Sequence, residues 1–162
     1  LKQSLLIIFL CLFSVGIQAE SITGRVVGVS DGDTITLLGE DNTQYKVRLA
    51  GIDAPEKKQA FGNASKKSLS DLVFSKQVVA NWSKKDRYGR LIAKVVFNNS
   101  DINLMQIQRG MAWFYSKYKY ELIQEDRIEY LQAHENARNK KVGLWADSLP
   151  EAPWDFRVSR KK

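Results

Sequence analysis

The 162 residues include one cysteine, Cys11, and one histidine, His134. A lone thiol excludes a disulfide framework and any zinc site built on paired cysteines. A lone imidazole excludes a two-histidine metal site, and no credible nucleophilic triad assembles around it. His134 stands beside Glu135 and is expected on the surface of a helix. No Asp-x-Asp-x-Asp-Gly loop with a closing glutamate occurs, which excludes an EF-hand. Internal repeats, low-complexity tracts and a mid-chain linker are all missing. At about 100–200 residues per domain, one domain with one core is expected.

Basic residues are in excess: 25 Lys and Arg face 18 Asp and Glu, a net charge of +7. Such a balance points to an anionic partner, whether nucleic acid, acidic lipid or acidic protein. A membrane-surface protein would also need a basic amphipathic helix with a broad apolar face, and no stretch supplies one. Residues 1–19 place Lys2 before an apolar run from Leu5 to Ile17, then end Ile17-Gln18-Ala19 ahead of Glu20. This is the layout of a secretory signal peptide, and the run is short of the ~20 residues that span a bilayer. An exported protein, secreted or periplasmic, is therefore expected, with no stable membrane association after cleavage. Cleavage after Ala19 would remove Cys11 and leave 143 residues held together by packing alone.

Strands are expected over Ile22–Val29, Thr34–Leu38, Gln44–Ile52, Lys76–Trp82 and Arg90–Phe97. The turn cluster Gly39-Glu40-Asp41-Asn42 and the polar segment Ser83–Gly89 read as hairpin connections. A helix over Ala60–Phe74 could bury Phe61, Ala64, Leu69, Leu72 and Val73 on one face. Further helices are expected over Ile102–Arg109, closed by Gly110, and over Glu121–Asn139. The tail from about Pro150, with two prolines and a basic end, is expected to lie on the surface or fray. This order suits an α+β fold: a five-stranded OB-type Greek-key barrel with about three helices, formed by residues 20–162.

Two acidic motifs flank the second and third strands. Asp31-Gly32-Asp33-Thr34 enters one, and Asp53-Ala54-Pro55-Glu56 leaves the other. Pairing of these strands would bring Asp33 opposite Asp53, two hard carboxylates of the kind Ca²⁺ takes. Pro55 keeps Ala54 extended, so its carbonyl can join them. Either motif alone is an ordinary turn or strand exit; the two together point to a metal. Arg48 and Arg90 can each fork two donors onto a phosphate, although Arg48 by itself reads as a solvated strand face. Arg87-Tyr88-Gly89-Arg90 adds an aromatic that can stack on a base. Glu56 can reach a polarised water near the metal. Trp113, Phe114, Tyr115, Tyr118 and Tyr120 form an aromatic group that is mostly core, with one or two tyrosines free to face a nucleotide.

Taken in order, Val29–Thr34, Val47–Glu56, Asp86–Arg90 and the closing Gly143-Leu144-Trp145 resemble the micrococcal (staphylococcal-type) thermonuclease family, from about Ser21 to Trp145. The resemblance implies Ca²⁺-dependent endonucleolytic hydrolysis of DNA and RNA at P–O5′. The products would carry 3′-phosphate ends; single strands would be preferred, and the protein would be a monomer. It carries the metal ligands onto Asp33, Asp53 and the Ala54 carbonyl, with Asp31 as an acidic group behind them. The general base falls on Glu56 and the phosphate clamps on Arg48 and Arg90. Nucleotide contacts fall on Arg87, Tyr88, Tyr115 and Tyr118. The alternative is an OB module that binds single strands without cleaving them. Joint retention of Asp33, Asp53, Glu56, Arg48 and Arg90 favours the enzyme, because a binder has no use for the carboxylates.

Overall fold

Residues 20–160 are described by a computed structural model; the signal-peptide expectation over residues 1–19, and Lys161 and Lys162, lie outside them. Alternation of exposed and buried side chains builds β1 (Glu20–Val29), and an almost wholly buried run builds β2 (Thr34–Gly39). The strands β3 (Gln44–Leu49), β5 (Gln77–Lys85) and β6 (Leu91–Phe97) complete a barrel. β1 pairs antiparallel with β2 and β5, β2 with β3, and β5 with β6. A parallel ladder from Val47–Leu91 to Leu49–Ala93 then closes β3 onto β6. That closure leaves five strands in a mixed OB-type barrel. Val26, Ile35, Leu37, Val47, Leu49 and Val95 fill it, each without solvent exposure.

Helix α1 (Gly62–Val73) packs Leu69, Leu72 and Val73 inward, but Ser65 takes the buried position where Ala64 was expected. The Ser65 hydroxyl satisfies itself on the Met111 carbonyl, so a polar residue sits there without penalty. The turn between β5 and β6 is tighter than Ser83–Gly89: β5 runs on to Lys85, and Asp86–Arg90 closes it. The pair at Asn98-Asn99 takes positive φ, as its turn requires, and leads through β7 (Ser100–Asp101) into α2 (Ile102–Gln108). Gly110 follows α2 at φ +62, where its missing Cβ lets it lie against the Val142 backbone.

Three departures shape the cleft. β3 stops at Leu49 rather than Ile52, because Gly51 turns the chain at φ +71 and a Cβ there would strike the Leu122 side chain. The next two residues form β4 (Ile52–Asp53), paired with β8 (Trp113–Phe114) in a separate ladder. Helix α3 (Gln124–Asn139) begins after a 3₁₀ turn over Ser116–Glu121, so Glu121 lies outside it. Finally, the tail folds as α4 (Pro153–Ser159), with Pro153 in its first turn. The described residues thus hold four α-helices rather than about three.

Candidate active site

The Gly51 corner, not the β2–β3 ladder, brings the two acidic motifs together: in that ladder Thr34 faces Arg48. Asp33 Oδ2 accepts the Ala54 N–H at 2.9 Å, and Oδ1 accepts the Thr34 hydroxyl at 2.9 Å. Gly32 permits this approach, since a Cβ would collide with Ser65 and Ala54. Asp31 Oδ1 accepts the Asp33 N–H at 3.1 Å. Burial, and then the neighbouring charge of Asp33, push the Asp31 carboxyl up to about 7.

Arg48 is buried, contrary to a solvated strand face. Its Nη2 donates to the Ile52 carbonyl at 2.8 Å, its Nη1 to Glu121 Oε2 at 3.4 Å, and its guanidinium lies 4.9 Å over Tyr118. Arg90 donates through Nε to Asp86 Oδ2 at 2.8 Å. That bond and others from the turn hold the Asp86 carboxyl low although burial opposes them. Tyr88 is 68% exposed, with the Arg87 and Arg90 guanidiniums 4.8 and 5.5 Å from its ring centre. Tyr115 meets Tyr118 edge-on. Every residue singled out for metal, catalytic or nucleotide contact, from Asp31 to Tyr118, lines one cleft of about 700 Å³.

Three residues in or behind this cleft escaped the sequence reading. Glu121, whose side chain is buried, accepts from Arg48 and from the Gly51 N–H at 3.1 Å, tying the corner to the arginine. Arg157, on α4, donates to Asp53 Oδ2 at 2.6 Å and Oδ1 at 3.1 Å, and to Glu56 Oε1 at 2.8 Å. Burial raises the Asp53 carboxyl above its ordinary range, and the Arg157 hydrogen bonds oppose that rise. Trp154, also on α4, stacks on Tyr115. The tail's composition signals neither partner, because both contacts are set by tertiary docking. His134 is not a surface residue either. It is buried against Trp113 and Trp145, and its Nδ1 accepts the Phe114 N–H at 3.1 Å.

A match to the staphylococcal nuclease homologue family spans residues 46–147, from β3 to the turn after α3. The chain belongs to that family. A Haemophilus influenzae protein named an uncharacterized endonuclease is 49% identical over 161 residues, which is 99% of this chain and 86% of its own length. A micrococcal nuclease of Shigella flexneri is 37% identical over 147 residues, covering 85% of this chain and 82% of its own. An Escherichia coli protein named ParB is 37% identical over 145 residues, covering 84% and 79%.

The donors in this staphylococcal nuclease homologue suit a hard divalent cation in kind. Asp33 and Asp53 offer carboxylate oxygens and Ala54 a backbone carbonyl, all lining the one cleft. Among the described residues no three carboxylate, imidazole or thiolate side chains converge as a cluster that could hold an ion. Water or substrate would therefore complete the six to eight oxygens that Ca²⁺ takes. Arg157 engages both Asp53 oxygens, so an ion on Asp53 would compete with that guanidinium for them.

Proposed function

We propose that this nuclease is an exported, Ca²⁺-dependent, monomeric endonuclease that hydrolyses DNA and RNA with little discrimination between the sugars. The observation that carries the reading is that one cleft is lined by the guanidiniums of Arg48 and Arg90, the carboxylates of Asp31, Asp33, Asp53 and Glu56, and the exposed Tyr88. Arg48 and Arg90 bind the phosphodiester and meet the charge that grows on its oxygens in the transition state. Arg48 is already held by Ile52 and Glu121, so little reorganisation is needed as that charge develops. Glu56 accepts the proton of the attacking water as the P–O5′ bond breaks. The leaving oxygen takes its proton from water, because a guanidinium with a pKa above about 12 does not release one. The products are a 3′-phosphate and a 5′-hydroxyl.

Ca²⁺, held by Asp33, Asp53 and the Ala54 carbonyl, would supply Lewis-acid charge against a non-bridging phosphate oxygen. So few protein charges point to weak affinity, on the order of 10⁻⁴–10⁻³ M, which suits an extracellular site. Tyr88, with Arg87 beside it, offers an exposed ring to an unpaired base, and Tyr115 and Tyr118 extend the aromatic wall. This favours single strands over duplex. Export rests on the Lys2–Ala19 pattern, and no helix among the described residues is long and apolar enough to cross a membrane.

Incubation of the purified protein with denatured DNA and with RNA, in Ca²⁺ or in chelator, tests this reading. Degradation of both substrates in Ca²⁺ alone is expected. Intact substrates with a salt-sensitive gel shift would make the protein a binding module instead. Cleavage undiminished by chelator would remove the ion from the mechanism. Protein recovered from periplasm or medium should begin at Glu20 on N-terminal sequencing.

A further inference from the structure

Helix α4 is seven residues long and carries Trp154 and Arg157 three positions apart, on one side. Each meets a group that the proposed reaction uses. The Trp154 ring lies flat on Tyr115, centroids 4.6 Å apart and planes within 7°. The Arg157 guanidinium forks onto both Asp53 oxygens and reaches across to Glu56. Asp53 is buried, whereas the Arg157 side chain is 40% exposed, so the cation sits at the rim of the cleft, over a carboxylate in its floor. Ala152 and Pro153 anchor the start of the helix by burial, while Val158, Ser159 and Arg160 beyond Arg157 are exposed. The Arg157 side chain can thus swing toward solvent without uncovering the buried start of the helix.

A divalent cation on Asp53 needs the same oxygens that Arg157 holds. The two positive groups would stand within a few ångströms of one another, and neither is well screened beside a buried carboxylate. Occupancy of Asp53 by one therefore disfavours the other. We propose that Arg157 is an internal competitor for the divalent cation, and that the exchange of one for the other sets cation affinity and frees the Glu56 carboxylate in the same event. The proposal rests on the reading of Asp33, Asp53 and Ala54 as the cation's ligands. It gives α4 a role in the reaction: the base becomes available when the ion arrives, because one guanidinium holds the ligand and the base together.

Ca²⁺ titration by calorimetry, on the native protein, Arg157→Gln and Arg160→Gln, tests the exchange. Arg160 carries the same charge one turn nearby, packs 4.9 Å over Phe156 and contacts neither carboxylate, so it controls for net charge. Arg157→Gln should bind Ca²⁺ about tenfold tighter, as for a contact that is closed about nine-tenths of the time. Arg160→Gln should keep the native affinity, and Arg157→Lys, which cannot fork, should fall between. In ¹⁵N spectra of the native protein the Arg157 Nε–H signal, assigned by its loss in Arg157→Gln, should move as Ca²⁺ binds. Equal or weaker Ca²⁺ binding by Arg157→Gln, or an Arg157 signal indifferent to Ca²⁺, would overturn the proposal while leaving the ion's ligands in place. Failure of every protein to bind Ca²⁺ would overturn both.

Discussion

Arg48 and Glu121 stand 73 residues apart in the chain and meet at 3.4 Å beneath the cleft, both nearly excluded from solvent. Glu121 Oε2 takes the Gly51 N–H as well, so one carboxylate fixes both the chain corner and the arginine near the end of β3. Removal of one partner from a buried ion pair strands the other, which costs ~3 kcal/mol or more. Glu121→Ala should lose that much in urea unfolding. Glu121→Gln keeps an acceptor for Gly51 but gives up the charge that holds the guanidinium, and its kcat should fall about tenfold with KM little changed. An unaltered kcat in Glu121→Gln would show that Arg48 needs no such support.

Glu56→Gln separates proton transfer from binding. The glutamine can still accept the Arg157 hydrogen bond now made by Glu56 Oε1, so the loop has no reason to move. It cannot take a proton from water. General-base catalysis is worth about 10²–10⁴ in rate, and kcat should fall within that range while the gel-shift affinity for denatured DNA stays as it was. Native turnover in this variant would remove Glu56 from the chemistry.

The barrel strands and both acidic motifs were legible because their signals are local. Asp31-Gly32-Asp33 and Asp53-Ala54-Pro55 are short turns beside β-rich runs, and turn chemistry is written over three or four residues. The break at Ala50-Gly51 was not legible, since it depends on Leu122 lying against a glycine that could as well have continued the strand. Glu121 gave no sign for the same reason. It reads as an ordinary first-turn acid until the corner places it under Arg48. Arg157 and Trp154 lie in a tail of prolines and charges, where only docking reveals that they face Asp53 and Tyr115. His134 was misread because it stands beside the charged Glu135, whereas its packing partners Trp113 and Trp145 come from other elements.

Asp33 carries two duties, and the choice of substitution decides which is measured. Its carboxylate holds the Ala54 N–H and the Thr34 hydroxyl, so Asp33→Ala would disturb the loop together with any ion. Asp33→Asn retains an acceptor and removes the charge. Loss of one of two ligand charges should raise the Ca²⁺ concentration for half-maximal cleavage at least tenfold, with thermal stability close to native. A native Ca²⁺ response would refute Asp33 as a ligand.

His134 links folding to pH. Burial holds its imidazole below the ordinary 6.5, and the neutral Nδ1 lone pair accepts the Phe114 N–H. Phe114 lies in β8, which pairs with the strand that carries Asp53, so this bond braces the floor of the cleft. A depressed histidine pKa means that the unfolded chain binds the proton first. The contribution is fully present above the unfolded value and is lost as pH falls toward the folded one, at up to ~1.4 kcal/mol per pH unit. Asp31, raised to about 7, works with the opposite sign: the folded protein takes up its proton while the unfolded chain does not. The native slope is therefore a balance of opposing effects, in which the raised Asp53 carboxyl acts with the same sign as Asp31. His134→Gln, whose amide oxygen can accept from Phe114, removes one of them and leaves Asp31 untouched. Urea unfolding at pH 7, 6 and 5 should show the native protein losing stability relative to this variant as pH falls. Parallel slopes for the two proteins would mean that His134 titrates alike in the folded and unfolded states.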